Sequence, residues 1–138
     1  MRLSIRVRGE LVRQGLEDLS KEIPDIGRRR MRGVATRVME KMRKYPPKRP
    51  GQKYRRTYNL RNNWKAERYK NDKGYTIRNA MSYAHYPVGD AYGTGQAWMH
   101  KGRWPLFRDI TEQELKELPE AIQEEIVMVA RREGFACT

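Results

Sequence analysis

Cysteine is all but missing from this chain: the single thiol, Cys137, sits one residue from the end. That excludes a disulfide framework, points to a reducing cytoplasm and leaves Cys137 as a free thiol without a role. Histidine is nearly as scarce. One Cys with His85 and His100 cannot build a structural zinc tetrahedron, so no metal or cofactor is expected. No apolar run approaches the ~18 residues of a membrane span. The opening MRLSIRVRGE lacks the continuous apolar segment of a secretory signal, and no membrane partner is expected. There is no internal repeat and no low-complexity tract.

Hydrophobic residues are also in short supply, 38% against 34% charged. A chain of 138 residues makes one domain, 1–138, with a thin core. Helices layered on one sheet suit such a core, and burial completed against neighbouring copies would supplement it. Charge is what the chain has in excess, at a net +13, and its distribution says more than its sum. Met1 to Gly27 is neutral, Arg28 to Arg78 carries 19 basic and 3 acidic residues, and Asn79 to Thr138 carries 6 basic and 9 acidic. A positive middle and a slightly negative end can bind phosphate, or the acidic part of a neighbour.

Periodicity then divides the chain. Leu3, Ile5 and Val7 alternate with Arg2, Ser4, Arg6 and Arg8, the pattern of a half-buried strand. A short helix is expected over Glu10 to Glu22 with Leu11, Leu16 and Leu19, and Pro24 then suits the first turn of a second helix. In that second helix Met31, Val34, Ala35, Val38, Met39 and Met42 form one apolar stripe. Arg28, Arg29, Arg30, Arg32, Arg37 and Lys41 fall largely off it, as a basic outer face. Pro46 and Pro47 stop the helix.

From Leu60 the period changes to two. Leu60, Asn62, Trp64 and Ala66 oppose Arg61, Asn63, Lys65 and Glu67, and after the turn-like NDKG, Tyr75, Ile77, Asn79 and Met81 alternate again. This predicts a β-hairpin. A long loop and a short strand over Ala97 to His100 are expected next. Thr111 to Glu114 matches a capping box, Leu115 and Leu118 face inward, and Pro119 opens a fresh helix carrying Ile122, Ile126 and Val129 to Gly134. The predicted class is α+β: a small antiparallel sheet with a long basic helix and a C-terminal helix on it. An extended Pro-rich arm (45–58) and a C-terminal helical region (111–134) complete it.

Catalytic chemistry finds little support. His85 and His100 stand among aromatics, where a histidine packs more often than it catalyses, and neither names a partner. No phosphate-cradling GxxxxGK[ST] occurs, and GTGQAW lacks a strand–turn–helix setting. Glu112, Glu114, Glu117, Glu120, Glu124 and Glu125 read as a solvated helix face. No catalytic residue is assigned, and the chain is not read as an enzyme. Cations interleaved with Tyr45, Tyr54, Tyr58, Trp64, Tyr69 and Tyr75 can pair phosphates and stack bases, so sequence-nonspecific nucleic-acid binding is the alternative reading. No helix-turn-helix or aromatic RNP motif supports it.

The stretch YPPKRPGQKYRRTYNLRNNW, Tyr45 to Trp64, holds three prolines and no acid. Its ordered residues are Tyr45, Pro46, Pro47, Arg49, Pro50, Gly51 and Gln52, then Arg56, Thr57, Leu60 and Trp64. Tyr83, Ala84, Tyr86, Val88 and Gly89 follow, and later Gln96, Ala97, Trp98, His100, Gly102, Arg103 and Trp104. In that order, over Ile23 to Val129, the chain resembles the tail-component family of long-tailed phages, whose members are called tail-completion, neck, connector or minor tail proteins. Tyr58 departs from it, standing where the family usually has glycine.

The resemblance implies a virion protein assembled in the host cytoplasm into a ring, a hexamer or a multiple of one, at the head–tail junction. Its partners would be a portal or head-closure protein, a tail terminator or tail-tube protein, and genomic DNA held nonspecifically in the lumen. Tyr45, Pro46, Pro47, Arg49, Pro50, Tyr54, Arg56, Tyr58, Trp98 and Trp104 are then expected to contact other subunits. Arg28, Arg29, Arg30, Arg32, Arg37 and Lys41 are expected to face the lumen or an acidic partner.

Overall fold

The computed structural model describes residues 9–53, 56–69 and 74–135. The strand expected over Arg2 to Arg8 lies outside them, as do Tyr54 and most of the NDKG turn. The architecture is α+β: one long helix, a two-stranded antiparallel sheet among the described residues, and a C-terminal helical pair.

Helix α1 runs unbroken over Gly9–Met42, 34 residues with Pro24 inside it, where two helices were expected. Proline removes the donor for the Ser20 carbonyl, yet its φ is helical, and packing on either side holds the helix together. Leu19 and Ile26, seven residues apart and on one face, are both buried against Val129, Ala130 and Phe135. The stripe read from sequence continues this face: Val34, Ala35, Val38 and Met42 are buried, with Met31 and Met39 half-buried.

A one-turn helix, α2 (Asn59–Asn62), replaces the first half of the expected strand. Leu60 and Trp64 are four residues apart, which suits helical spacing as well as alternation, and both end in the core. Strand β1 (Trp64–Tyr69) pairs with β2 (Gly74–Asn79), with Trp64 opposite Asn79 and Ala66 opposite Ile77. Trp64 and Ile77 point to α1, while Lys65, Glu67, Thr76 and Arg78 point outward. Asn79 locks α2 to the hairpin, donating to the Leu60 carbonyl (2.7 Å) and accepting from the Met81 N–H (2.9 Å).

Another one-turn helix, α3 (His85–Val88), follows. The strand expected over Ala97 to His100 is a 3-10 turn, Trp98–His100, closed by His100 N–H to the Ala97 carbonyl at 2.9 Å. Among the described residues no strand lies beside it to supply a ladder.

Helix α4 spans Phe107–Lys116, so Thr111 is interior and not an N-cap. Leu106 is extended, the Phe107 ring stacks on Trp64 at 5.4 Å, and the helix starts from that anchor, five residues early. The Thr111 hydroxyl instead donates to the Phe107 carbonyl, 2.8 Å. Leu118 packs on the core as expected, but Leu115 is exposed.

Helix α5 (Leu118–Arg132) opens with Pro119 in its first turn, as read. It closes in a Schellman motif: Phe135 N–H reaches the Ala130 carbonyl (2.9 Å) and Gly134 N–H the Arg131 carbonyl (3.0 Å), with Gly134 at φ 87°. Phe135 is thereby folded against Gly15, where a Cβ would meet its ring at 3.2 Å. No helix among the described residues is long and apolar enough to cross a membrane.

Two cores thus share α1. One gathers Leu19, Ile26, Val129, Ala130 and Phe135; the other gathers Val34, Val38, Met42, Leu60, Trp64, Val88 and Trp104. The Pro-rich arm leaves α1 at the second.

Candidate interaction surface

The arm is ordered by its own chemistry first. Arg49-Pro50-Gly51-Gln52 forms a type II β-turn: Pro50 presets its first corner, Gly51 takes φ 77° at the second, and Gln52 N–H donates to the Arg49 carbonyl at 3.1 Å. The Gln52 side chain closes the ring by accepting from the Arg49 N–H (3.0 Å). Two guanidiniums then strap the arm to the Trp98–His100 region. Arg103 donates to the Pro47 carbonyl (2.8 Å) and Arg49 to the Met99 carbonyl (3.3 Å).

Tyr45 roots the arm in the core. Its ring lies 4.9 Å from Trp104 and stacks on Tyr58 at 5.3 Å, Arg56 sits 5.3 Å over its face, and its hydroxyl accepts from the Arg61 N–H (3.1 Å). Tyr58 is the one residue other than glycine with positive φ (60°) among those described. It occupies the position where the resemblance expects glycine, and the backbone still takes the turn glycine would take. Stacking on Tyr45 offsets the strain.

Opposite the arm, Gln96 donates to the Pro87 carbonyl (2.8 Å) and the Trp104 carbonyl (3.1 Å), and Ala97 N–H donates to the Tyr86 carbonyl (2.8 Å). These bonds hold α3 and the 3-10 turn at a fixed separation. Between them and the arm lie two adjoining clefts of about 310 and 230 Å3 that share Arg56, His100 and Trp104 as lining. Two polar atoms buried there, Arg56 Nε and His100 Nδ1, have no hydrogen-bond partner. Burial, then the charges of Arg103 and Arg49, hold the His100 imidazole below its ordinary range, so it is neutral near pH 7.

The basic face of α1 is a different surface. Arg29 and Arg30 meet Glu125 at 2.6 and 2.5 Å, and Arg37 and Lys41 meet Glu114 at 2.7 and 2.5 Å. Arg132 reaches back to Glu22 at 2.5 Å, so the ladder runs the length of an antiparallel contact. Hydrogen bonds from Lys41 and Arg37 hold the Glu114 carboxyl below the ordinary carboxylate range, and Arg29 and Arg30 do the same for Glu125. Two of the six glutamates read as a solvated face are therefore turned inward. Glu125 sits beside Ile122 and Val129 in helical register and Glu114 beside Ile110 and Leu118, a placement that could have marked both as facing α1.

The remaining expected residues divide. Arg28 pairs with Asp25. Asp25, Arg28, Arg29 and Arg32 of α1, with Arg68 and Tyr75 of the hairpin, line an open cleft of about 230 Å3. Pro46 is half-buried, Pro50 is exposed, Trp98 is 78% exposed, and Trp104 belongs to the core while also lining both arm-side clefts. Met99, Tyr83 and Tyr86 were not among the expected contact residues, although the two tyrosines belong to the resemblance, and all three are exposed, as are Tyr58 and Trp98.

A family model described as "Bacteriophage HK97-gp10, putative tail-component" matches residues 11–87, more than half of the chain. The match takes in most of α1, the arm, the hairpin and α3, and stops before the Gln96 to Trp104 segment. No curated protein and no solved structure matches the chain.

Proposed function

The chain belongs to the phage tail-component family, and on that premise we propose that it is a structural subunit of a tailed-phage virion that forms a ring at the head–tail junction. Six copies or a multiple surround a lumen through which genomic DNA passes. A portal or head-closure protein lies on one side and a tail terminator or tail-tube protein on the other. The arm from Tyr45 to Tyr58, with Trp98, contacts the neighbouring subunit.

The observation that carries this reading is the surface around the arm. Met99 lines the cleft of Arg49, Arg56 and Arg103, Tyr58, Tyr83 and Tyr86 line the adjoining one, and all four are exposed, as is Trp98 next to Met99 in sequence. Trp, Tyr, Met and Arg are the residues enriched at protein interfaces, and grouping them costs solubility unless they are covered. Light scattering on the full chain at low and high salt tests it. The expected result is a closed oligomer whose mass does not depend on added DNA. A monomer at both salts that is absent from virions overturns it.

The open cleft of Arg28, Arg29, Arg32, Arg68 and Tyr75 favours a second reading, sequence-nonspecific nucleic-acid binding. Within a ring the same cleft suits the lumen. As the protein's sole function it requires a monomer that shifts short duplexes and releases them steeply as salt rises.

A further inference from the structure

We propose that the cleft between the arm and the Trp98–His100 turn receives the acidic outer stripe of helix α5 from a second copy of the chain. This rests on the ring reading and names the contact that would build it.

The cleft is positive and incompletely satisfied. Arg49, Arg56, Arg103 and His100 line it, and no carboxylate does. Among the described residues, no carboxylate forms an ion pair with Arg49, Arg56 or Arg103. Arg56 Nε and His100 Nδ1 are buried in its lining without hydrogen-bond partners. Tyr58, Tyr83, Tyr86 and Met99 add an exposed apolar rim.

One surface of the same chain has the complementary chemistry. Glu117, Glu120, Glu124 and Met128 follow at helical spacing along the outer side of α5, all exposed, with Met128 at 69%. The inward glutamates, Glu114 and Glu125, are taken by α1, whereas no cation among the described residues pairs with Glu117, Glu120 or Glu124. A carboxylate from this stripe can pair with the guanidiniums of Arg49 and Arg103 that line the cleft. Met128 can then lie against the tyrosine rim, where a thioether packs well on aromatic rings. Cleft and stripe are different surfaces, so the contact is head-to-tail, and repeating it closes a ring when the rotation allows.

The test uses the full chain with Cys137 replaced by serine. Met99→Cys in one preparation and Glu124→Cys in another are mixed and treated with a short bis-maleimide. Cross-linked heterodimer is expected in excess over a control pair using Thr76→Cys on the outward face of the sheet. In parallel, Glu120→Lys with Glu124→Lys weakens self-association about tenfold or more. An oligomer that survives charge reversal with cross-linking at the control level overturns this contact and leaves the ring reading standing. Protection of Met99→Cys from maleimide by short duplex DNA, with assembly unchanged by Glu120→Lys and Glu124→Lys, assigns the cleft to phosphate and also overturns it. A chain that stays monomeric at every concentration overturns the contact, and if it is also absent from virions it overturns the ring.

Discussion

The cations of α1 and the cations of the arm look alike in sequence and differ in what they do. Arg29, Arg30, Arg37 and Lys41 each end on a carboxylate of α4 or α5. Arg49 and Arg103 end on backbone carbonyls, and Arg56 on the face of Tyr45, with one nitrogen left over. The first set is committed to holding one subunit together. The second orders a strap and meets no carboxylate among the described residues. A net charge of +13 therefore overstates how much of α1 is free to meet DNA and understates how exposed the arm is.

The largest effect separates core from rim within seven residues. Trp104→Ala removes a buried ring that supports both Tyr45 and the second core, and is expected to cost about 3–5 kcal/mol. Trp98→Ala, at an exposed site, stays within about 0.5 kcal/mol and acts on assembly instead. Thermal or urea unfolding of the two variants decides it. Equal losses would mean that the arm side is as much a part of the fold as the helix contacts.

Neutralising the committed pairs comes next. Glu114→Gln and Glu125→Gln are each expected to lose about 1 kcal/mol, since the carboxylates are mostly covered but their cations are half in solvent. Arg56→Gln should move unfolding by less, about 0.5 kcal/mol. If the arm substitution destabilises as much as the helix ones, the division between committed and uncommitted charge fails.

Acid probes the same division without mutation. Both carboxyls lie below their ordinary value of 4.5 in the folded chain. Their contribution is fully present above that value and is lost as pH falls through the lowered folded pKa. Stability is expected to fall in the acid range below about pH 4.5, and the fall should shrink in the Glu114→Gln, Glu125→Gln double variant. His100 acts in the same direction at higher pH: its folded pKa is depressed, so protonation as pH falls below its ordinary 6.5 also disfavours the fold. A pH titration of unfolding midpoints separates the two steps.

How much of this was readable in advance depended on whether one interaction or several decided a residue's place. The α1 stripe and the paired part of the hairpin were legible because their residues obey one period. The same holds for the Pro119 start and the Gly134 stop, where local backbone chemistry suffices. Leu60 to Asn63 misled because the four-residue step from Leu60 to Trp64 fits helix and strand alike. Pro24 misled because a local rule met packing on both sides of it. Ala97 to His100 misled because alternation without a neighbouring strand makes no ladder. Thr111 misled because Phe107, anchored on Trp64, had already started the helix. The arm was legible as extended and unusual, but its cleft was not: Met99, Tyr83 and Tyr86 come from segments far apart in sequence and meet only through Gln96 and Ala97.

The effect at Tyr58 bears on why the arm can be held at all. At φ 60° a side chain costs about 1 kcal/mol that glycine does not pay, yet Tyr58 stands there. Replacing it with glycine or with alanine deletes the same ring and the same stacking on Tyr45, so that loss cancels between the two variants. What remains is the backbone. Tyr58→Gly is expected to be more stable than Tyr58→Ala by about 1 kcal/mol in urea unfolding, less whatever entropy the glycine adds to the unfolded chain. Equal stabilities would mean that the turn relaxes once the ring is gone. The arm's course would then be set by the Tyr45–Tyr58 stack and not by the backbone, which would make its docked form depend on the same aromatic surface that a neighbour would cover.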